Sequence, residues 1–152
     1  MIISRAKIKT IAENLRRKKK KIVFTNGVFD ILHFGHIDYL TKAKKLGDIL
    51  IIGLNTDLSV KKFKGKDRPI QNEKDRARIL DALKPVDYVV LFSEETPDRL
   101  IRLVRPDVLV KGADYKISEI VGAEFVKSYG GAVRRIKLAK GRSTTNIIRN
   151  LT

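Results

Sequence analysis

The chain contains no cysteine, and that absence removes disulfides, thiolate metal sites and thiol nucleophiles together. Histidine is almost as scarce: two occur, and both fall inside the tetrapeptide His33-Phe34-Gly35-His36. No apolar run nears the roughly 18 residues that would predict a membrane span. The opening MIISRAKIKT lacks an apolar signal core followed by a small-residue cleavage site. These absences predict a cytoplasmic protein with no membrane partner. Internal repeats and low-complexity linkers are missing too. What the 152 residues do hold is 43% hydrophobic and 33% charged, enough to pack a core and unlike a disordered chain. The length predicts one domain over residues 1–152. Within it, residues 1–20 form an amphipathic helix with a basic run, and residues 21–152 form the α/β core.

Acidic residues are the minority charge. Lys and Arg number 33 against 17 Asp and Glu, a formal net charge of +16. A field of that sign attracts polyanions such as nucleotides, sugar phosphates or nucleic acid. Part of it is concentrated in Arg16-Arg17-Lys18-Lys19-Lys20-Lys21, whose plain reading is the solvated end of a helix. A nucleic-acid-binding module is the competing class of function. Charge alone supports it, because no aromatic-rich sheet surface or known nucleic-acid motif accompanies the lysines, so no nucleic-acid partner is expected.

Periodicity sets the architecture. Ile8, Ile11, Ala12 and Leu15 recur at helical spacing over residues 4–17, with Ser4 as N-cap. Five short apolar runs read as strands, at Ile22-Val23-Phe24, Ile49 to Leu54, Tyr88 to Phe92, Val108-Leu109-Val110, and Val133 to Leu138. Between them come a helix from His36 stopped at Gly47, a Lys-rich loop over residues 55–71 and a helix capped by Asn72. Further helices follow: one with Thr96 as cap and Pro97 at its first position, one opening at Ser118, and a last one from Thr144 to Asn150. Strands alternating with helices, several of them apolar throughout, predict a doubly wound, five-stranded parallel sheet with helices on both faces. Ligands in such sheets bind beyond the carboxyl ends of the strands, at the switch point.

The chemistry-bearing residues fall at those ends. His33 and His36 straddle the junction between the first strand and the next helix, where both imidazoles can face one pocket. Gly35 leaves room for a phosphate to approach the backbone, and the helix start offers N–H groups to an anion. Two imidazoles can spread over the charge that develops on a phosphoryl group. With no third His and no Cys, only carboxylates could complete a zinc site here.

The segment Phe24-Thr25-Asn26-Gly27-Val28-Phe29-Asp30, followed by His33-Phe34-Gly35-His36, resembles the HxGH signature of the nucleotidyltransferase superfamily. The resemblance runs from about residue 20 to the end. It includes Asn55-Thr56-Asp57, the stretch from Lys64 to Pro69, Glu95-Thr96-Pro97, Leu109 to Tyr115, and Gly141 to Ile148. The last two resemble the adenylyltransferase domain of bacterial ADP-heptose synthase. This implies a Rossmann-like transferase that moves AMP from ATP onto D-glycero-β-D-manno-heptose 1-phosphate, in the supply of lipopolysaccharide core precursors. The implied co-substrates are ATP and a sugar 1-phosphate, with Mg²⁺ carried mainly by phosphates and water. A homodimer is a further expectation.

The resemblance also implies roles. His33 and His36 would stabilise the transferring phosphoryl group, joined by Lys64, while Lys61 and Arg76 would meet substrate phosphates. Thr25, Asn26, Gly27, Phe29 and Gly35 would line the nucleotide mouth after the first strand. Lys111, Gly112 and Asp114 would meet base and ribose; Ser143, Thr144 and Thr145 would cradle the β,γ-phosphates. Asp30 is the one nearby carboxylate to consider for a metal, with a structural hydrogen bond as its other reading. Cytidylyltransferases of this superfamily place an Arg where this chain has Leu138, which disfavours the alternative of cytidylyl transfer to glycerol 3-phosphate or another small phosphate. Many heptose-phosphate enzymes fuse the domain to a sugar kinase, which these residues do not include.

Overall fold

The computed structural model describes residues 1–152. Five strands form, β1 (Ile22–Gly27), β2 (Ile49–Asn55), β3 (Tyr88–Phe92), β4 (Val108–Gly112) and β5 (Ala132–Ile136). Every pairing is parallel, in the order β3-β2-β1-β4-β5, so the winding reverses between β1 and β4. Seven helices surround them: α1 (Arg5–Arg17), α2 (Phe34–Lys44), α3 (Asp57–Lys64), α4 (Glu73–Asp81), α5 (Asp98–Val104), α6 (Ala123–Ser128) and α7 (Thr144–Leu151). The doubly wound sheet expected from the sequence is thus the one observed.

Side-chain alternation along the strands divides the core into two layers. Phe24, Ile51 and Val90 pack with Ile8 and Ala12 of α1, Leu100 and Ile101 of α5 and Val126 of α6. Val23, Leu50 and Ile52 point the other way, onto Leu40 and Ala43 of α2 and Ala77 and Leu80 of α4. Phe24 is fully buried, so truncating it to Ala would cost about 3–5 kcal/mol. The helix α1 is part of the first layer. The segment before it adds a parallel bridge beside β3, with Ile3 N–H donating to Val89 O at 3.0 Å.

Several local expectations change. The Lys-rich stretch after β2 contains α3, which Thr56 caps by accepting from Ser59 N–H. Ser4 holds the N-cap position of α1 without a side-chain cap bond. Pro97 is itself the N-cap of α5, one residue before the helix, and Thr96 Oγ1 accepts from Asp98 N–H at 3.5 Å. Ser118 lies in a 3-10 turn (Ile117–Glu119), and α6 starts after Gly122. Leu138 lies beyond the end of β5. Lys45 caps α2, whereas Gly47 is glycine because a Cβ there would meet Lys21 O at 2.8 Å.

Candidate active site

The segment between β1 and α2 is held under strain. Phe29 and Ile31 adopt positive φ of 50° and 37°, costly for side chains of this size. Asp30 between them is buried and fixes the turn. Its Oδ2 accepts from Ile70 N–H at 2.7 Å and from Arg68 Nε at 3.3 Å, and its Oδ1 accepts from Gln71 N–H at 2.9 Å. Gln71 Oε1 in turn accepts from Ile31 N–H at 3.2 Å. On the other flank, Thr144 Oγ1 donates to Asp30 O at 2.7 Å, tying α7 to this loop.

Arg76 is the second brace. It is 1% exposed and donates to Val28 O and Asn55 O at 2.8 Å, to Gln71 O at 2.9 Å and to Asp57 Oδ1 at 2.7 Å. One guanidinium thereby joins the segments after β1 and β2 to the start of α4. Its planar fork can satisfy carbonyls in several directions, which an ammonium could not do.

Four residues expected at the ligand already have partners for their polar atoms within the chain. Arg76 braces three carbonyls and Asp57. Asp30 has the structural hydrogen bonds of its other reading. Thr25 is fully buried, bonded to Tyr39 at 2.8 Å and to Val110 O at 3.0 Å, so it does not line the mouth. The Thr144 hydroxyl stitches loops together and is not free for a phosphate.

Both histidines keep chemistry available. Gly35 N–H donates to His33 Nδ1 at 3.0 Å, and His33 N–H donates to His36 Nδ1 at 3.3 Å. Each Nδ1 is an acceptor, so each neutral imidazole carries its proton on Nε2. The rings lie 3.9 Å apart, centroid to centroid, with Phe29 5.5 Å from His36. Burial, then the neighbouring Arg142 guanidinium, lowers the pKa of His33. Burial, then His33, lowers that of His36 to about 4. Both are neutral at pH 7, and the pair presents two Nε2–H donors.

Gly35 serves this arrangement in an unexpected way. A Cβ there would sit 2.8 Å from His33 Cε1 and 3.1 Å from Arg142 Cβ, so the missing side chain lets the imidazole and Arg142 approach the helix start. The amides opening α2 are also mostly satisfied, since His36 and Ile37 N–H donate to His33 O. At α7 the situation differs. Ser143 Oγ accepts from Asn146 N–H at 3.1 Å, while the N–H groups of Ser143, Thr144 and Thr145 find no acceptor in the chain. An anion fits there. Thr145 is exposed.

Other candidates surround these groups. Asn26 and Gly27 end β1, and the buried Asn26 Oδ1 has no hydrogen-bond partner. Lys111 at the end of β4 sits with Nζ 3.4 Å from Asn26 O and 5.0 Å from the Tyr115 ring centroid. Burial lowers its pKa, against an opposing pull from Asp114. Gly112 makes room for Asp114, whose Oδ1 would lie 2.5 Å from a Cβ at that position. Lys61 and Lys64 lie on the last turn of α3, and desolvation, then Arg68, lowers the pKa of Lys64.

No group of three His, Asp, Glu or Cys side chains could hold a metal ion. The Asp30 carboxylate accepts from Arg68, Ile70 and Gln71. Sequence reasoning missed Arg68, Gln71 and Tyr39, whose roles depend on partners distant in the chain. No helix is long and apolar enough to cross a membrane.

The profile of the cytidylyltransferase-like family matches residues 24–150. The bifunctional protein HldE of Syntrophotalea carbinolica is 52% identical over 147 residues, covering 97% of this chain and 30% of that protein. HldE of Wolinella succinogenes is 53% identical over 150 residues, covering 99% and 31%. The chain thus spans under a third of the length of these curated relatives. Among solved structures, the lipopolysaccharide core biosynthesis protein from Thermoplasma volcanium GSS1 superposes with a TM-score of 0.64 at 34% identity, covering 81% of this chain and 99% of that one. Pantoate-β-alanine ligase from Francisella tularensis, complexed with an ATP ligand and β-alanine, gives a TM-score of 0.69 at 20% identity, covering 100% and 73%; this likeness concerns the fold alone.

Proposed function

Because the chain belongs to the cytidylyltransferase-like family, which covers residues 24–150, we propose that it is a nucleotidyltransferase moving AMP from ATP onto D-glycero-β-D-manno-heptose 1-phosphate. The products are ADP-heptose and pyrophosphate. The observation that carries the chemistry is the neutral histidine pair, two Nε2–H donors set beside the open amides of Ser143, Thr144 and Thr145. The choice of sugar rests on the likeness of residues 109–115 and 141–148 to the heptose enzymes, and on identity above 50% with HldE proteins.

In this reading a non-bridging oxygen of the sugar phosphate attacks the α-phosphorus of ATP in line. The bond to the bridging oxygen breaks, and its electron pair leaves with pyrophosphate. The nucleophile is already an anion at pH 7, so no general base is needed. Positioning and charge stabilisation do the work. His33 and His36 donate to the oxygens of the transferring group. Ser143, Thr144 and Thr145 receive the β,γ-phosphates through their amides, with Thr145 adding a hydroxyl. Lys61 and Lys64 meet the phosphates from α3, and Asn26, Lys111 and Asp114 meet the nucleoside. Mg²⁺ accompanies the nucleotide, held by phosphates and water.

The test is pyrophosphate release across the four nucleoside triphosphates and a panel of sugar phosphates. ATP with heptose 1-phosphate should give the highest kcat/KM. CTP outcompeting ATP, or glycerol 3-phosphate outperforming the heptose, would overturn the substrate assignment. The second class of partner is a homodimer, which sedimentation would detect.

A further inference from the structure

Arg142 sits where the site is otherwise incomplete. It precedes the Ser143 cap of α7, and Gly141 before it takes a positive φ of 74°. Its side chain crosses to the start of α2: the guanidinium carbon lies 5.9 Å from the centroid of the Phe34 ring, and Cβ abuts the space over Gly35. Every salt bridge of the chain involves other residues, and Arg142 donates no side-chain hydrogen bond within it. A guanidinium with five unclaimed donors thus stands over Phe34 at the start of α2, on the residue that precedes the open amides of Ser143, Thr144 and Thr145. The other arginine nearby, Arg76, is fully occupied by carbonyls and Asp57. At Leu138 there is no charge to offer, and that side chain is exposed.

We propose that Arg142 is a further catalytic residue, a guanidinium that grips the β,γ-phosphates of the nucleotide and follows their charge as pyrophosphate departs. This deepens the nucleotidyltransferase reading and rests on it. As the bond from the α-phosphorus to the bridging oxygen breaks, negative charge grows on the leaving group. A planar fork can bind two of its oxygens at once. The interaction strengthens along the reaction, so it acts on turnover more than on ATP binding. Arg142 also helps to keep His33 neutral, with its proton on Nε2.

The experiment compares wild type with Arg142→Ala, Arg142→Gln and Arg142→Lys. It reads kcat and KM for ATP, and the affinity for inorganic pyrophosphate by calorimetry. Arg142→Ala and Arg142→Gln should lower kcat by about 10²-fold, the scale of one lost transition-state donor, with a much smaller change in KM. Both should weaken pyrophosphate binding, and Arg142→Lys should recover only part of each loss because an ammonium cannot fork. In a nuclear magnetic resonance titration, His33 should take up its proton at higher pH in Arg142→Ala. Since Arg142 is exposed and makes no side-chain hydrogen bond or salt bridge, these variants should melt like wild type. Unchanged kcat and unchanged pyrophosphate affinity in both neutral variants would overturn the proposal. If wild type released pyrophosphate with no substrate pair, the nucleotidyltransferase reading would fail. The calorimetry would still decide on Arg142: lost pyrophosphate binding in the neutral variants supports the grip, and unchanged or absent binding in wild type refutes it.

Discussion

Cations crowd both ends of the sheet, yet the two ends differ in what the backbone offers beside them. At the amino ends, Arg16, Lys19, Lys20 and Lys21 flank a cleft with Asp107 and Tyr129. There the backbone amides and the Arg16 guanidinium are already engaged. Arg16 donates to Val104 O at 2.7 Å, Lys21 N–H to Asp48 Oδ2 at 2.7 Å, and Lys20 N–H to Leu15 O at 2.9 Å. At the carboxyl ends, buried Asp30 and Arg76 fix the loops, so the Nε2–H donors of the neutral His33–His36 pair and the opening α7 amides are held ready with no internal acceptor. Net charge draws polyanions to either end. Unsatisfied donors held rigidly in place are what can select a phosphoryl group and stabilise its transition state.

The comparison breaks hardest at the brace. Arg76→Ala would leave the carbonyls of Val28, Asn55 and Gln71 and the Asp57 carboxylate without their partner. Stability should fall by about 3–5 kcal/mol, read by urea denaturation. A loss under ~1 kcal/mol would show that the loops stand without it.

His36→Ala removes one donor from the mouth and should lower kcat by about 10²–10³ while leaving the fold intact. Steady-state kinetics with a circular-dichroism control measures this. Full activity in a folded His33→Ala, His36→Ala double variant would remove the imidazoles from the chemistry.

Acid should act on the same pair. The folded pKa of His36, about 4, lies below the ordinary 6.5, so in that window the unfolded chain binds protons that the folded chain refuses. Stability should therefore fall as pH drops from 6.5 toward about 4. Parallel melts of wild type and His36→Asn would show it as a shallower pH slope in the variant. The smallest effect belongs to the other end of the sheet. Replacing Lys19, Lys20 and Lys21 together by Gln should leave turnover within about twofold and stability within about 0.5 kcal/mol, as for exposed side chains without special partners. A large loss of turnover would mean that both basic ends serve the reaction.

Much of this was legible in the amino-acid order. Apolar strands alternating with helical periods determine a parallel sheet covered on both faces, and the order places His33-Phe34-Gly35-His36 just past β1 and Ser143 at a helix start. These are local signals, since periodicity and capping act within a few residues. Even so, α3 escaped notice, because its run Asp57–Lys64 is polar and lysine-rich enough to read as loop.

Only the tertiary structure decided which polar side chains are free. Asp30 is answered by Ile70 and Gln71 some forty positions on, Thr25 by Tyr39 and Val110, and Thr144 by the carbonyl of Asp30, 114 residues earlier. From the sequence, Thr144 and Thr145 look alike, as do Arg76 and Arg142. In the fold, one of each pair has its hydrogen bonds taken by a distant loop, and the other keeps its donors. A buried polar group must find a partner wherever the chain brings one, and which partner it meets depends on how the strands are ordered, information that no local window of residues contains.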